Sequence, residues 1–216
     1  MAWDFAAQIH ALTGFDADDT SGTTETDEVF SDMATQWLTD AAKEVINVLP
    51  PNLLKLCSSE QTFTSQAVGS ESSASTLNTG KVLSVFAGNY EAREIKSSLK
   101  HKANDSNSLE YASTTDPVFY TENNYLNVLP ASISCKYEEV QYPSVTYSLS
   151  SISNFPDEAE HLVVIKAAIT SLEYLLAVEE DVELYSTMIA NLRTEYMQGV
   201  NALKTNNLTA PKEQAK

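Results

Sequence analysis

Positive charge is scarce in this chain of 216 residues. Thirteen lysines and arginines stand against 30 aspartates and glutamates, and the formal net charge is −17. No lysine or arginine precedes Lys43. A surface that reads nucleic acid needs a basic face, so this balance argues against a DNA- or RNA-reading module. It does not argue against a protein that surrounds DNA without gripping it, because an acidic surface repels the phosphate backbone.

Residues that catalyse reactions or cradle phosphates are also few. The three histidines lie in different segments, and the sequence contains six glycines but no nucleophile elbow, phosphate loop or dinucleotide fingerprint. Glu158 and His161 have the Glu-x-x-His spacing of di-iron bundles, but the second copy that such a site needs is missing. The acidic residues at 179–183 lack the spacing and the turn glycine of a calcium loop. We therefore expect a protein that is not an enzyme, with no catalytic residues, cofactor or metal.

Long apolar runs and cysteines are likewise lacking. No run reaches the roughly 18–20 apolar residues of a membrane span, and the N-terminus has no basic region followed by an apolar stretch, as a secretory signal requires. These absences predict synthesis in the cytoplasm without membrane association. The two cysteines, Cys57 and Cys135, are expected to be reduced and partly buried thiols.

The N-terminal arm, residues 1–26, begins with apolar residues at helical spacing. Trp3, Phe5, Ile9 and Leu12 predict a helix of two or three turns. The residues that follow are mostly Asp, Thr, Ser and Gly, which is typical of a linker. Either this apolar patch folds back on the chain's own core or it docks on a neighbouring subunit, and the sequence leaves both alternatives open.

Apolar periodicity also predicts long helices on both sides of the chain's middle. Residues 27–49 form one helix that ends at Pro50-Pro51, because proline cannot continue the hydrogen-bond ladder. The C-terminal third begins at Phe155-Pro156 and carries two apolar stripes. No Gly or Pro separates these stripes, so the sequence does not decide between one long helix and two. Five residues are assigned to the core: Trp37, Leu162, Ile165, Leu172 and Leu192.

The middle of the chain reads mainly as strands. Residues 81–86 and 133–147 have β-branched, aromatic or alternating character, and residues 117–120 and 125–128 flank Thr-Glu-Asn-Asn, which predicts a hairpin. Residues 69–80 read as a loop, and residues 91–103 as a short helix that carries the basic patch Lys96, Lys100 and Lys102.

The predicted fold class is α+β. Its core is a bundle of about three to four helices, residues 27–204, with a β-rich insertion at about 60–148 between the first long helix and the C-terminal helices. The arm at 1–26 precedes this domain, and a polar tail at 205–216 follows it.

Three segments together resemble a known family. They read Trp37-Leu-x-Asp-Ala-Ala-Lys-Glu-Val-Ile-Asn-x-Leu-Pro50, then Ser108-Leu-Glu-Tyr-Ala-x-x-x-Asp-Pro-Val-Phe-Tyr120 with Leu126-x-Val-x-Pro130, and finally Phe155-Pro-Asp-Glu-Ala-Glu-His-Leu-Val-Val-Ile-Lys-Ala-Ala-Ile169. They are similar to segments of the head–tail connector, or neck, proteins of tailed bacteriophages, especially cyanophage-like ones. The resemblance covers about half of the chain in short pieces.

The resemblance implies a structural protein of the virion neck. Its subunits would form a ring, expected to be a dodecamer, between the portal protein and the tail or neck proteins, with DNA passing through the lumen. The expected interface residues are Trp3, Phe5, Ile9 and Leu12 in the arm, and Glu122, Asn123 and Asn124 at the hairpin tip. The alternatives are another tail, baseplate or capsid-associated protein, or a monomeric helical binding module. A monomer should bury Trp3 and Phe5 in its own core.

Overall fold

The computed structural model describes residues 3–14, 26–70, 75–178 and 182–206, and its fold is α+β. The α+β class expected from the sequence is therefore confirmed. The chain divides into two compact units: a helical unit, Met1–Cys57 with Tyr142–Lys216, and a strand unit, Ser58–Gln141. The strand unit begins two residues before the insertion that the sequence placed at about 60–148, and it ends seven residues before that insertion's end.

The helical unit is built around one central helix. Its elements are α1 (Phe5–Thr13), α2 (Thr26–Val48), α3 (Pro51–Leu54), α5 (Asp157–Val178) and α6 (Val182–Asn206). Helix α5 packs against α1, α2 and α6. The C-terminal third therefore forms two helices, which settles the question that its sequence left open. The residues between them, 179–181, lie outside the described part of the chain.

Helix α5 is apolar around most of its circumference because three helices surround it. Four consecutive residues, Leu162, Val163, Val164 and Ile165, are all buried, whereas a helix at a surface buries one stripe. Of the residues assigned to the core from the sequence, Leu162, Ile165, Leu172 and Leu192 are buried. Trp37 is only half-buried, and its ring lies 5.8 Å from that of Tyr174.

Helices α5 and α6 run antiparallel and approach each other closely near Gly199. Arg193 pairs with Glu173 at 2.6 Å at one end, and Gly199 lies against Leu162 at the other. A Cβ atom at position 199 would overlap the Leu162 side chain. The absence of a side chain at this position therefore permits the close approach of the two helices.

The strand unit contains two sheets. Its elements are β1 (Ser58–Thr64), β2 (Val82–Ala87), β3 (Tyr90–Glu91), β4 (Arg93–Glu94), α4 (Lys100–Ala103), β5 (Val118–Glu122), β6 (Tyr125–Leu129) and β7 (Ser134–Val140). The first sheet has the order β1-β7-β2-β3, and its pairs are antiparallel. The second has the order β4-β5-β6, in which β4 pairs with β5 in parallel and β5 with β6 as a hairpin. The predicted hairpin is thus confirmed.

Side-chain alternation buries the second sheet on both faces. Leu126 and Val128 belong to one core cluster with Tyr137 and Phe63 of the first sheet. The opposite face contributes to a second cluster, whose buried members are Ala103, Ala112, Val118, Tyr120 and Leu129. Successive residues of a strand point to opposite faces, so the hairpin joins the two clusters.

The helix predicted at residues 91–103 is wrong in its first half. Strands β3 and β4 occupy Tyr90–Glu91 and Arg93–Glu94, and helical turns begin only at Ser97. Hydrogen bonds from Arg93 N to Pro117 O and from Ile95 N to Phe119 O, both shorter than 3.0 Å, hold this stretch beside β5. Tertiary pairing with β5 therefore overrides the local helical pattern.

Candidate interaction site

Helix α1 is held to the helical unit by the backbone hydrogen bonds of its first turn. The first four N–H groups of a helix have no partner within the helix. Here Phe5 N donates to Leu149 O at 2.8 Å, and Ala6 N donates to Tyr147 O at 2.9 Å. The side chain of Asp4 caps the helix by accepting from Ala7 N at 2.8 Å. The start of α1 is therefore fixed by the segment that precedes α5.

The apolar patch of the arm is divided between the core and the surface. Phe5 and Ile9 are each 1% exposed, whereas Trp3 is 64% exposed and Leu12 is half-buried. The structure therefore corrects the interface assignment for Phe5 and Ile9, because packing on the chain's own helices covers both side chains. Trp3 is the apolar residue of the patch that remains open to a neighbour.

The predicted hairpin tip is a tight turn whose residues mostly serve the strand unit itself. Asn123 and Asn124 have φ values of 51° and 66°, as a two-residue type I′ turn requires. Asn124 Nδ2 donates to Leu77 O at 2.6 Å, and Leu77 N donates back to Asn124 O at 2.9 Å. Glu122 pairs with Lys100 at 2.5 Å. The exposed Asn123 is the tip residue for which an external role fits best.

Glu139 is a buried acid that our sequence reasoning missed. The residue is 0% exposed, and its Oε1 accepts from Thr79 N at 2.7 Å and from Gly80 N at 3.1 Å. Within the described residues, Oε2 has no hydrogen-bond partner. The alternation of β7 could have predicted this burial. Positions 135, 137 and 139 lie on one face of the strand, and Cys135 and Tyr137 are apolar residues of the kind that face a core. The carboxylate fixes the residues that lead into β2.

A polar cluster joins three helices of the helical unit. Lys166 of α5 lies 3.0 Å from Glu44 of α2 and 5.9 Å from the ring centre of Tyr196 in α6. Burial, together with the nearby Glu44 carboxylate, raises the pKa of Tyr196 to about 12. A phenol with this pKa stays protonated near neutral pH and is poorly suited to act as a general base. The geometry fits a structural link between helices.

The other ionisable side chains that could form a catalytic or metal site do not lie close to one another. Cys57 and Cys135 are both free and buried, and burial raises the pKa of Cys57 to about 11. Glu158 and His161 are both exposed. Across residues 3–14, 26–70, 75–178 and 182–206, no group of three metal-ligating side chains comes together, and no helix is long and apolar enough to cross a membrane. Residues 179–181 of the acidic run are not described.

The segments that carry the phage-connector resemblance fall on separate elements. The first lies mainly on α2, the second on the loop before β5 and on the β5–β6 hairpin, and the third on the first half of α5. The chain matches no protein-family model and no curated protein sequence. The resemblance therefore rests on those motifs alone.

Proposed function

We propose that this protein is a non-catalytic structural subunit of a phage virion, a head–tail connector that assembles as a ring between the portal and the tail. The observation that carries the proposal is Trp3, a large aromatic side chain left 64% exposed at the start of a docked helix. Tryptophan is enriched among the residues that dominate protein interfaces. The three resembling segments supply the phage context.

The charge of the chain fits passage of DNA through such a ring. With a net charge of −17, a lumen lined by this protein repels phosphate groups instead of holding them. DNA then slides through without specific binding, and the subunits bind one another, the portal and the tail proteins. The site of action is the virion neck, after synthesis in the host cytoplasm.

The test compares Trp3→Ala with Leu184→Ala. Leu184 lies in α6 and is 55% exposed, so its removal controls for the general loss of exposed apolar surface. Light scattering coupled to size exclusion gives the mass of each variant in solution, alone and with a portal ring. We expect wild type and Leu184→Ala to form the same large assembly, and Trp3→Ala to form a smaller species. An unchanged mass for Trp3→Ala, with and without the portal, would refute the role of Trp3.

Substitution of Trp3 is a cleaner test than removal of residues 1–26. Deleting the arm would also remove Phe5 and Ile9 and uncover the core that they protect. The truncated chain would then aggregate or unfold for reasons unrelated to assembly. Trp3→Ala leaves the capping and docking contacts of α1 in place.

The second candidate function, a monomeric helical binding module, is favoured by the burial of Phe5. Such a module was expected to bury both Trp3 and Phe5, and the structure buries only Phe5. The same measurement separates the two functions. A monomer at all concentrations that also ignores the portal supports the binding module and contradicts the connector.

A further inference from the structure

The edge of the first sheet at β1 is long. β1 (Ser58–Thr64) has seven residues and pairs with β7 alone among the strands that the structure describes. Of the other edge strands, β3 and β4 have two residues each, and β6, with five residues, is bridged by Thr76 at Tyr125. Proteins usually guard a long edge strand with lysine, proline or a bulge. β1 contains neither lysine nor proline, and its register with β7 is regular.

The hydrogen bonds at the end of β1 show which of its backbone N–H and C=O groups point away from β7. Ser65 N donates to Ile133 O, and Ser65 O accepts from Ser132 N, each at 2.9 Å, so Ser65 faces the β7 side. Alternate residues of an antiparallel strand direct their N–H and C=O groups to opposite edges. The groups of Glu60, Thr62 and Thr64 therefore point outward.

These outward groups are largely free to accept a new strand. Within the described ranges, the one hydrogen bond to them from outside the strand is from the exposed Gln66 side chain to Thr64 O at 3.2 Å. The side chains of β1 are uncharged apart from one. The single acid, Glu60, is paired with Lys136 of β7 at 2.8 Å. On the neighbouring strand, Lys136 lies opposite Thr62 and Glu138 lies opposite Glu60, so Thr62 and Thr64 are the uncharged part of this edge.

We propose that β1 pairs antiparallel with β1 of a second copy of this chain, centred on Thr62, so that two four-stranded sheets become one. In this register Thr62 lies opposite its own counterpart, and Glu60 lies opposite Thr64 of the second copy. The outward N–H and C=O groups of these three residues then bond across the new boundary.

Electrostatics disfavours a centre on Glu60, and the length of β1 disfavours a centre on Thr64, which would leave almost none of the strand paired. Centring the pair on Thr62 separates the two Glu60 residues by about 14 Å, since each residue of a strand advances about 3.4 Å. That separation exceeds the Debye length of about 8 Å at physiological ionic strength. Centring the pair on Glu60 places the two carboxylates directly opposite each other, which destabilises a sheet. The edge is therefore self-complementary, as a two-fold contact between identical subunits requires.

This inference does not rest on the proposed connector function. A two-fold contact closes on itself and forms a pair, whereas a ring needs head-to-tail contacts through another surface. Trp3 belongs to the helical unit and β1 to the strand unit, so substitutions at the two surfaces report on the two proposals separately.

The first experiment introduces a like-charge pair at the centre of the new boundary. Thr62→Lys places two lysines opposite each other in the proposed pair. Thr62 is exposed and lies opposite Lys136 of β7, so circular dichroism and urea denaturation must first show that the variant is folded. Thr121→Lys is the matched control, because Thr121 is also exposed but lies on β5, the central strand of the other sheet. We expect Thr62→Lys to halve the mass measured in solution and Thr121→Lys to leave it unchanged. If Thr62→Lys retains the wild-type mass, the proposal is overturned.

The second experiment tests the register by cross-linking. Opposite residues of a hydrogen-bonded antiparallel pair have Cα atoms about 5.5 Å apart, which lies within the range of about 4.4–6.8 Å for disulfides. Oxidised Thr62→Cys protein should therefore run as a covalent dimer on a non-reducing gel, and Thr121→Cys should not. The native Cys57 and Cys135 are buried and give little background. Equal dimer yields from both variants would show random collision and contradict the register.

Discussion

Replacing Phe5 by alanine tests whether α1 is an integral part of the helical unit. Phe5 is 1% exposed and is among the largest fully buried side chains of the chain. Phe→Ala substitutions in protein cores cost about 3–5 kcal/mol, because lost apolar burial and a residual cavity add together. Helix α1 has nine residues, so undocking of the helix can relieve the cavity. We therefore expect Phe5→Ala to lower the free energy of unfolding by about 3 kcal/mol, at the lower end of this range.

Two measurements check this expectation. Denaturation in urea gives the free energy of unfolding, and hydrogen exchange reports on Ala6 N, which is protected in the wild type by its bond to Tyr147 O. Phe5→Ala should lose stability and that protection. Leu184→Ala is the matched control, since a side chain 55% exposed and outside the proposed interfaces contributes within about 0.5 kcal/mol. A loss below about 1 kcal/mol for Phe5→Ala, together with an Ala6 N that exchanges freely already in the wild type, would refute the docking of α1.

Three further predictions concern buried groups. Glu139→Ala removes the acceptor of two backbone N–H groups at 79–80, and urea denaturation should show a loss of roughly 1–3 kcal/mol. Gly199→Val drives a side chain into Leu162 and should cost about 1–3 kcal/mol, whereas a stability equal to wild type would contradict the close helix contact. Burial raises the pKa of Cys57 to about 11, so alkylation at pH 8 should be slow in the folded protein and fast in urea, since the thiolate is the reactive form.

Helical periodicity identified most of the helical unit, because an apolar stripe and a proline boundary are properties of the chain itself. The stripe in α2 and the stop at Pro50 predicted the observed helix to within one residue at each end. The same reasoning did not show that α5 is buried nearly all round. That property depends on how many helices surround α5, and no local pattern contains the number of neighbours.

The strand unit was harder to predict because its shorter elements depend on distant partners. Residues 91–94 have no strong strand pattern, yet Arg93 and Glu94 pair with Val118 and Phe119 in parallel. The hairpin was easier, since adjacent asparagines adopt positive φ more readily than most residues. For the candidate site, the sequence could place Trp3 and Phe5 on one short helix, but only tertiary packing separates the exposed residue from the buried one.

The two assembly proposals constrain each other through symmetry. A ring seated between portal and tail presents a different face to each, whereas joining two rings across β1 would make their outer faces identical. Both contacts are therefore compatible only if the β1 pair belongs to the free protein and separates when the ring meets its partners. Edge pairing that releases without unfolding suits this order of events, because the outward groups of Thr62 can return to water. Thr62→Lys should therefore still form a ring on a portal. Trp3→Ala should form dimers paired through β1 but no ring.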